Sequence, residues 1–204
     1  MPLPGLSELT EQRRSAILDA AERIFADKGY HEAGIADIAK ELGIGHGTFY
    51  RYFRNKHDIA VHILDRTIER FYAIALGEDP ESSDTIEQYR GQTDRILTAW
   101  IDVAADQPHV ARFLHEQAQV VDLGRVTRMR DDHVAFTARF LANGVSKGFL
   151  RGDLDVEITA EMLVALIFEG SRSALFDPDP ARRVRWKEAG MALMFDGIRG
   201  ARED

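Results

Sequence analysis

The stretch of sequence that decides the fold runs from Gly34 to Lys56 and reads GIADIAKELGIGHGTFYRYFRNK. Its first part spaces apolar residues three or four apart, which predicts a helix with one buried stripe: Ile35, Ile38, Ala39 and Leu42. Gly43 should end that helix, because glycine can take the left-handed conformation that turns the chain sharply. A second short helix follows, so the stretch predicts two helices joined by a tight turn.

The second helix carries Phe49 and Phe53 one turn apart, and we expect both rings to pack against the first helix. Its other face should then point outward: His46, Gly47, Tyr50, Arg51 and Arg54. A helix that enters a major groove needs small residues near the DNA backbone, and hydroxyl, aromatic and cationic groups nearby. The predicted DNA contacts are Gly45, His46, Gly47, Thr48, Tyr50, Arg51, Tyr52 and Lys56.

The charge of this stretch is opposite to that of the whole chain. The formal net charge of the protein is −8, yet the segment from Leu42 to Lys56 contains basic residues and no acidic one. A local group of cations on an acidic protein suits a polyanionic partner such as DNA.

At these residues the chain resembles the TetR family of bacterial transcriptional regulators. The matching pieces are, in order, AILDAAERIFADKGY, IADIAKELGI, GTFYRYF and NKHDI. The resemblance implies an all-α fold with a three-helix, helix-turn-helix DNA-binding domain over residues 1–55. A helical-bundle domain for effector binding and dimerisation would follow over residues 56–204. The implied function is a ligand-responsive repressor without a cofactor, which binds a near-palindromic operator as a homodimer.

Two departures from the family pattern concern the starts of the helices. Gly34 and Gly45 stand where the family often has Ser or Thr, and a glycine N-cap offers no side-chain acceptor to the first turn. His46 stands where a Lys or Arg is common near the start of the second helix. We expect both helices to form, with the base preference at His46 left open.

Composition limits the remaining functions. The chain of 204 residues has no cysteine, which excludes disulfides, thiolate catalysis and cysteine zinc sites. No apolar run reaches the roughly 18 residues of a membrane span, and no leader pattern opens the chain, so a cytoplasmic protein is expected.

The rest of the chain reads as consecutive helices. An acidic loop, GEDPESSD, separates the N-terminal helices from the variable remainder. The predicted helices span residues 11–28, 56–76, 85–106, 108–120, 125–147, 156–176 and 180–198.

The last two predicted helices carry more apolar surface than one packed face needs, which indicates a partner. Family members dimerise through this pair of helices, and the predicted interface residues are Leu163, Phe168, Trp186, Leu193 and Met194. The alternative is that both helices belong to the core.

The middle helices combine apolar bulk with a few polar groups, as ligand cavities do. The predicted effector-pocket residues are Trp100, Phe113, Leu114, Gln117, Met129, His133 and Phe136. Each could equally be plain core, and the residues do not identify the effector.

Other functions are less well supported by the residues. The histidine pairs His109 and His115, and His57 and His62, do not have the spacing that puts two imidazoles on one helical face, so no metal site is expected. A helical enzyme could use acid pairs such as Asp131 and Asp132, or 153 and 155, but no nucleophile motif is present. A binding protein of the same fold that has lost DNA affinity is the third alternative.

Overall fold

The computed structural model describes residues 6–177 and 179–197, and the regular elements in these ranges are helical. In chain order they are α1 (Leu6–Lys28), α2 (Ile35–Leu42), α3 (His46–Tyr50), α4 (Lys56–Ala75), α5 (Ile86–Asp106), α6 (Pro108–Arg112), a π-helical turn (Phe113–Gln117), α7 (Ala118–Ser146), α8 (Val156–Leu175) and α9 (Ala181–Gly197). The all-α prediction is confirmed. Ile198, where the last helix was predicted to end, lies outside the described residues.

The predicted helix boundaries agree with the structure to within one residue, except that α1 begins at Leu6 rather than at residue 11 and that the region of residues 108–125 differs. There the predicted helix is divided into α6, the π-helical turn and the first residues of α7. Asp122 interrupts α7, because its φ of −157° and ψ of 95° are not helical. The predicted break between residues 120 and 125 therefore corresponds to a single non-helical residue inside α7.

The chain forms two compact units whose borders lie inside helices. The N-terminal unit contains residues 1–70 and 107–123, and the C-terminal unit contains residues 71–106 and 124–204. Helices α4 and α7 are each divided between the units, and the division of α7 falls next to Asp122. The compact N-terminal unit is thus larger than the predicted DNA-binding domain of residues 1–55, which stays a prediction about function.

The N-terminal unit has its own apolar core, to which helices α1 to α4 and the π-helical turn contribute. Its fully buried large side chains are Ile17, Phe25, Ile38, Phe49, Phe53, Ile59, Ile63, Leu64 and Phe113. Two salt bridges join α1 to α2: Arg23 to Glu41 at 2.8 Å and Lys28 to Asp37 at 2.7 Å. Burial in the shared core provides most of the free energy that stabilises α2 and α3, since helices of eight and five residues are marginal alone.

Further contacts in this unit connect α1 and the turn after it to α4 and to the π-helical turn. The carboxylate of Glu22 on α1 is 1% exposed and lies 2.5 Å from Arg66 of α4. Gln117, in the π-helical turn, accepts a hydrogen bond from the backbone N–H of Tyr30 at 2.8 Å. The Phe113 ring stacks on Phe25 with centroids 6.4 Å apart. Segment 107–123 is therefore bound to α1 although it is distant in sequence.

In the C-terminal unit, α8 and α9 pack on each other and on α5, and α7 contributes to the same core. The buried cluster consists of Tyr89, Leu97, Phe140, Leu141, Leu150, Leu154, Ala160, Met191, Met194 and Phe195. Asp155 caps α8 by accepting a hydrogen bond from the N–H of Ile158 at 3.1 Å.

Candidate DNA-binding surface and internal cavity

The turn between α2 and α3 is fixed by Gly43. Its φ of 61° is left-handed, and the N–H of Ile44 donates to the carbonyl of Ala39 at 2.9 Å. An L side chain would be strained in that conformation, so the fold requires glycine here. The predicted helix end at Gly43 is confirmed.

Both phenylalanines are buried, as predicted, although α3 ends at Tyr50 and Phe53 lies in the segment between α3 and α4. Phe49 and Phe53 are fully buried, with their ring centroids 5.8 Å apart. The guanidinium of Arg14 on α1 lies 5.3 Å from the centre of the Phe53 ring. These contacts fix α3 on the core by one face and leave its opposite face open.

That open face carries most of the predicted DNA contacts. Tyr50 is 55% exposed, and Gly45, His46, Gly47 and Arg51 are also exposed, while Thr48 and Tyr52 are half-buried. Within the described residues, Arg51 forms no ion pair. The surface of α3 therefore presents hydroxyl, imidazole and guanidinium groups that the folded chain does not use.

Unlike Gly43, Gly45 and Gly47 do not have the left-handed backbone conformation that favours glycine. Gly45 has a φ of −74°, Gly47 has no positive φ, and a Cβ atom at either position would meet nothing within 4 Å. Alanine inside a helix is more stable than glycine by roughly 0.5–1 kcal/mol. At Gly47, inside the helix, the fold of the free chain thus has no need of glycine, so any need for it comes from what approaches the surface. Gly45 is the N-cap of α3, where glycine is itself a favoured residue.

The start of α4 is capped by its own side chains. The N–H of Asp58 donates to Oδ1 of Asn55 at 2.8 Å, and Oδ2 of Asp58 accepts from the N–H of Arg54 at 2.9 Å. This reciprocal pair satisfies backbone donors that a helix start leaves unpaired. It places Arg54, whose side chain is exposed, at the border of the α3 surface.

Lys56 has a structural role that the sequence did not indicate. Its ammonium donates to the carbonyls of Tyr30 and His31 at 2.9 and 3.1 Å, and it lies 4.7 Å from the centre of the Tyr30 ring. The half-buried side chain thus ties α4 to the turn after α1. Its predicted phosphate contact stays a prediction, because these bonds already occupy two of its three N–H donors.

At the other predicted site, the C-terminal unit encloses an apolar cavity of about 50 Å³. Its walls come from α4, α5, α7, α8 and α9, and the lining residues are Ala75, Tyr89, Thr93, Ile96, Leu97, Trp100, His133, Phe136, Thr137, Phe140, Leu163, Val164, Ile167, Phe168 and Met194. A second, more open cleft of about 320 Å³ adjoins it and shares Ala75, His133 and Phe136. The cleft alone has the volume of a small-molecule site.

His133 lies among three aromatic rings at the border of cavity and cleft. Tyr72 stacks on it at 5.4 Å, Trp100 lies at 5.5 Å and Phe168 at 5.9 Å between ring centroids. Nδ1 of His133 lies 2.7 Å from the carbonyl of Met129, so Nδ1 must carry the proton. Burial lowers the pKa of His133 below its ordinary value of 6.5.

The predicted effector-pocket residues are divided between the two units. Trp100, His133 and Phe136 line the cavity together. Phe113, Leu114 and Gln117 belong to the N-terminal unit instead, where segment 107–123 packs on α1. Met129 is buried behind His133 and supplies the carbonyl that holds its ring. The structure therefore does not bring the seven predicted residues into one pocket.

The predicted interface residues are also not on one face. Leu163, Phe168 and Met194 line the cavity, and Trp186 packs against Gly170 of α8, where a Cβ atom would come within 2.3 Å of the indole. Leu193 is the member that points to solvent, at 63% exposure. The exposed apolar residues of α8 and α9 are instead Ile158, Met162, Leu166, Val184 and Leu193.

Two further predictions concern metals and membranes. Among the described residues, His, Asp and Glu side chains do not gather in groups of three or more that could hold a metal ion. Over the same residues, every helix is too short or too polar to cross a lipid bilayer.

A glycine-turned pair of helices, packed by two phenylalanines and exposing a polar face, defines a helix-turn-helix DNA-binding protein. Residues 17–63 match the family described as bacterial regulatory proteins, tetR family. Over these residues the chain is similar to that family, and the comparisons identify it as a DNA-binding transcriptional regulator rather than an enzyme.

Relatives are similar along nearly the full chain. The transcriptional regulator TtgR of Pseudomonas putida is 27% identical over 199 residues, which cover 92% of this chain and 93% of TtgR. The probable regulator ArpR of Pseudomonas putida is 29% identical over 199 residues, with the same coverage of 92% and 93%.

Solved structures share the fold. The fatty acid degradation regulator FadR of Bacillus halodurans has a TM-score of 0.76 at 20% identity, covering 98% of this chain and 100% of its own. FadR of Bacillus subtilis in complex with stearoyl-CoA has a TM-score of 0.73 at 21% identity, covering 91% and 99%. At this identity the likeness shows the fold alone.

Proposed function

We propose that this protein is a ligand-responsive repressor that binds a near-palindromic operator as a homodimer in the cytoplasm, where the DNA is. The outer face of α3 reads the DNA, the exposed stripe of α8 and α9 forms the dimer, and the cavity of the C-terminal unit receives the effector. The observation that carries the proposal is the open, unpaired surface of α3.

The DNA contacts follow from what the α3 surface leaves unused. Gly45 and Gly47 allow the helix backbone to come close to DNA, since neither residue has a Cβ atom that would separate the backbone from the duplex. Tyr50 and Arg51 then lie within the same turn, with a hydroxyl and a guanidinium for phosphates or base edges. His46 adds an imidazole at the exposed start of the helix.

The dimer surface is argued from the spacing of exposed apolar residues. Ile158, Met162 and Leu166 recur every fourth residue on α8, which puts them on one stripe, and Met162 is 67% exposed. Val184 and Leu193 of α9 are also exposed. Exposed large apolar side chains on two helices that pack on each other indicate a partner. A two-fold pair would place the α3 helices in successive major grooves, about 34–36 Å apart.

The cavity and the adjoining cleft together are the supported effector site, because the cavity is apolar and the cleft has the volume of a small-molecule site. The structural relative from Bacillus subtilis was solved in complex with stearoyl-CoA, so a protein of this fold can bind a ligand with a long acyl chain. The alternative of a ligand-binding protein without DNA affinity rested on the two glycine caps and on His46. Both helices nevertheless form, and Oδ2 of Asp37 accepts from the N–H of Gly34 at 2.9 Å, which restores one side-chain bond to that cap.

The test of DNA binding begins with duplexes selected from a random pool by the full-length protein. Affinity for the selected duplex is then measured at several salt concentrations by fluorescence anisotropy. We expect Arg51→Ala to weaken binding and to lower the magnitude of the salt slope by about one, as for the loss of one phosphate contact. The matched control is Arg151→Ala, an exposed cation of the C-terminal unit, which should leave the slope unchanged. Equal slopes for the parent and both variants would contradict the assignment.

The test of the dimer is the molar mass in solution, measured by light scattering. Leu193→Asp should give a monomer at concentrations where the parent is a dimer, because a buried carboxylate without a partner is costly. Leu123 of the N-terminal unit is 62% exposed and provides a matched control, Leu123→Asp, that should stay dimeric. A dimeric Leu193→Asp protein, or a monomeric parent, would refute the proposed surface.

A further inference from the structure

The cavity contains a buried hydrogen-bond donor without an acceptor. Nε1 of Trp100 is inaccessible to solvent and has no hydrogen-bond partner among the described residues. Its ring lies in the cavity wall, where the surrounding side chains are mostly aliphatic or aromatic. A buried N–H without an acceptor costs free energy, and native structures rarely keep one without a reason.

The neighbouring ring offers the complementary group. Because Nδ1 of His133 donates to the carbonyl of Met129, Nε2 is the free position of a neutral imidazole and can only accept. Burial favours the neutral form, as it lowers the pKa of His133. Within the described residues, Nε2 forms no hydrogen bond. The Trp100 and His133 ring centroids are 5.5 Å apart, and both rings line the same cavity, so the donor and the acceptor belong to neighbouring side chains of one wall.

Charge sets the second condition on the ligand. In the described part of the chain, no charged side chain lines the inner cavity. The cation of the outer cleft, Arg139, is already 3.0 Å from Glu81. An anionic head group would therefore lose its water in the inner cavity without gaining a counter-charge, which is strongly unfavourable.

We propose that the cavity binds an uncharged, largely apolar molecule through a hydroxyl group that accepts from Nε1 of Trp100 and donates to Nε2 of His133. A hydroxyl is the simplest neutral group that both accepts and donates through one atom. The apolar body of the ligand extends past Phe136 into the outer cleft. The inference rests on the proposed function, since it names the chemical class of the effector for that site.

Three probes with one carbon skeleton test the inference by calorimetry on the full-length protein at pH 7.5. These are 4-butylphenol, butylbenzene and 4-butylbenzoate, which carry a hydroxyl, no polar group and a carboxylate. The phenol should bind about 5- to 100-fold tighter than butylbenzene, as expected for the net gain from two hydrogen bonds. It should bind more than about tenfold tighter than the benzoate, which would be buried as an anion.

The variant Trp100→Phe removes the donor and keeps an aromatic ring. It should remove one of the two proposed hydrogen bonds, lower the affinity for 4-butylphenol about 3- to 10-fold, and leave butylbenzene binding unchanged. Trp186→Phe, which removes the other indole outside the cavity, should keep the preference of the parent. If Trp100→Phe fails to fold, the order of the three probes on the parent protein decides.

The inference is overturned if the benzoate binds as tightly as the phenol, if the phenol and butylbenzene bind equally, or if none of the three binds. DNA binding is measured separately and without a probe. A protein that prefers the phenol but ignores DNA would retain this ligand class and refute the repressor. A protein that binds its duplex but shows no preference for the phenol would retain the DNA-binding proposal and refute this ligand class.

Discussion

The two units differ in where polar groups without a protein partner lie: on the surface in the N-terminal unit and in the interior in the C-terminal unit. On α3 of the N-terminal unit, the side chains of Tyr50 and Arg51 are exposed to water. In the C-terminal unit, Nε1 of Trp100 is buried in an apolar wall beside the imidazole of His133. The first arrangement suits a charged and hydrated partner, and the second suits a small neutral one.

This difference shows what each unit loses in stability while its polar groups have no binding partner. Exposed groups on α3 are solvated, so the free protein loses little by leaving them unpaired. A buried indole N–H has no such compensation and costs stability until an acceptor arrives. We therefore expect substitutions on the α3 surface to change binding, and substitutions in either core to change folding.

The largest expected effect tests the two faces of α3. Phe49→Ala should destabilise the protein by roughly 3–5 kcal/mol, because it empties a fully buried aromatic site. Tyr50→Ala, one residue along and 55% exposed, should change stability by less than about 0.5 kcal/mol while weakening DNA binding. Chemical denaturation of both variants measures the contrast. Similar midpoints would show that the two faces are not distinct.

A smaller effect should appear in the pH dependence of stability, to which each unit contributes one partly or fully buried histidine. Burial lowers the pKa values of His133 and of His109 below 6.5. The unfolded chain therefore binds more protons than the folded one just below pH 6.5, so stability is fully present above 6.5 and declines as pH falls through that window. Thermal melts between pH 7.5 and 5 should show this loss.

His133→Phe should make the pH dependence less steep, and His109, in the N-terminal unit, should account for what remains. The control His46→Gln, at an exposed histidine of α3, should keep the slope of the parent. If the parent melts at the same temperature throughout this range, the buried neutral state of His133 is wrong.

Local patterns were enough to predict the helix-turn-helix. Phe49, Phe53 and Gly43 act within one or two turns of the chain, so spacing and backbone preference determine where they lie. Helix boundaries followed for the same reason. The role of Lys56 was not predictable, because its partners are the carbonyls of Tyr30 and His31, and a backbone acceptor leaves no mark in the sequence.

The cavity was harder to predict because it depends on contacts between distant helices. The π-helical turn adds a residue to one turn and changes the direction of the side chains after it, and Phe113 packs against Phe25 in the N-terminal unit. On α8, the pattern shows apolar residues on several sides. It does not tell which stripe, that of Met162 or that of Leu163, faces the core.

The most direct test of the account is the stability and DNA affinity of Gly47→Ala. A methyl group fits the free protein at this position and favours the helix. The free energy of unfolding should therefore stay equal or rise by up to about 1 kcal/mol, and the melting temperature should not fall. The same methyl group would stand between α3 and the duplex, and the affinity for the selected duplex should fall by at least about tenfold, or 1.4 kcal/mol. Unchanged affinity in a stably folded Gly47→Ala protein would contradict the claim that this face of α3 reads DNA.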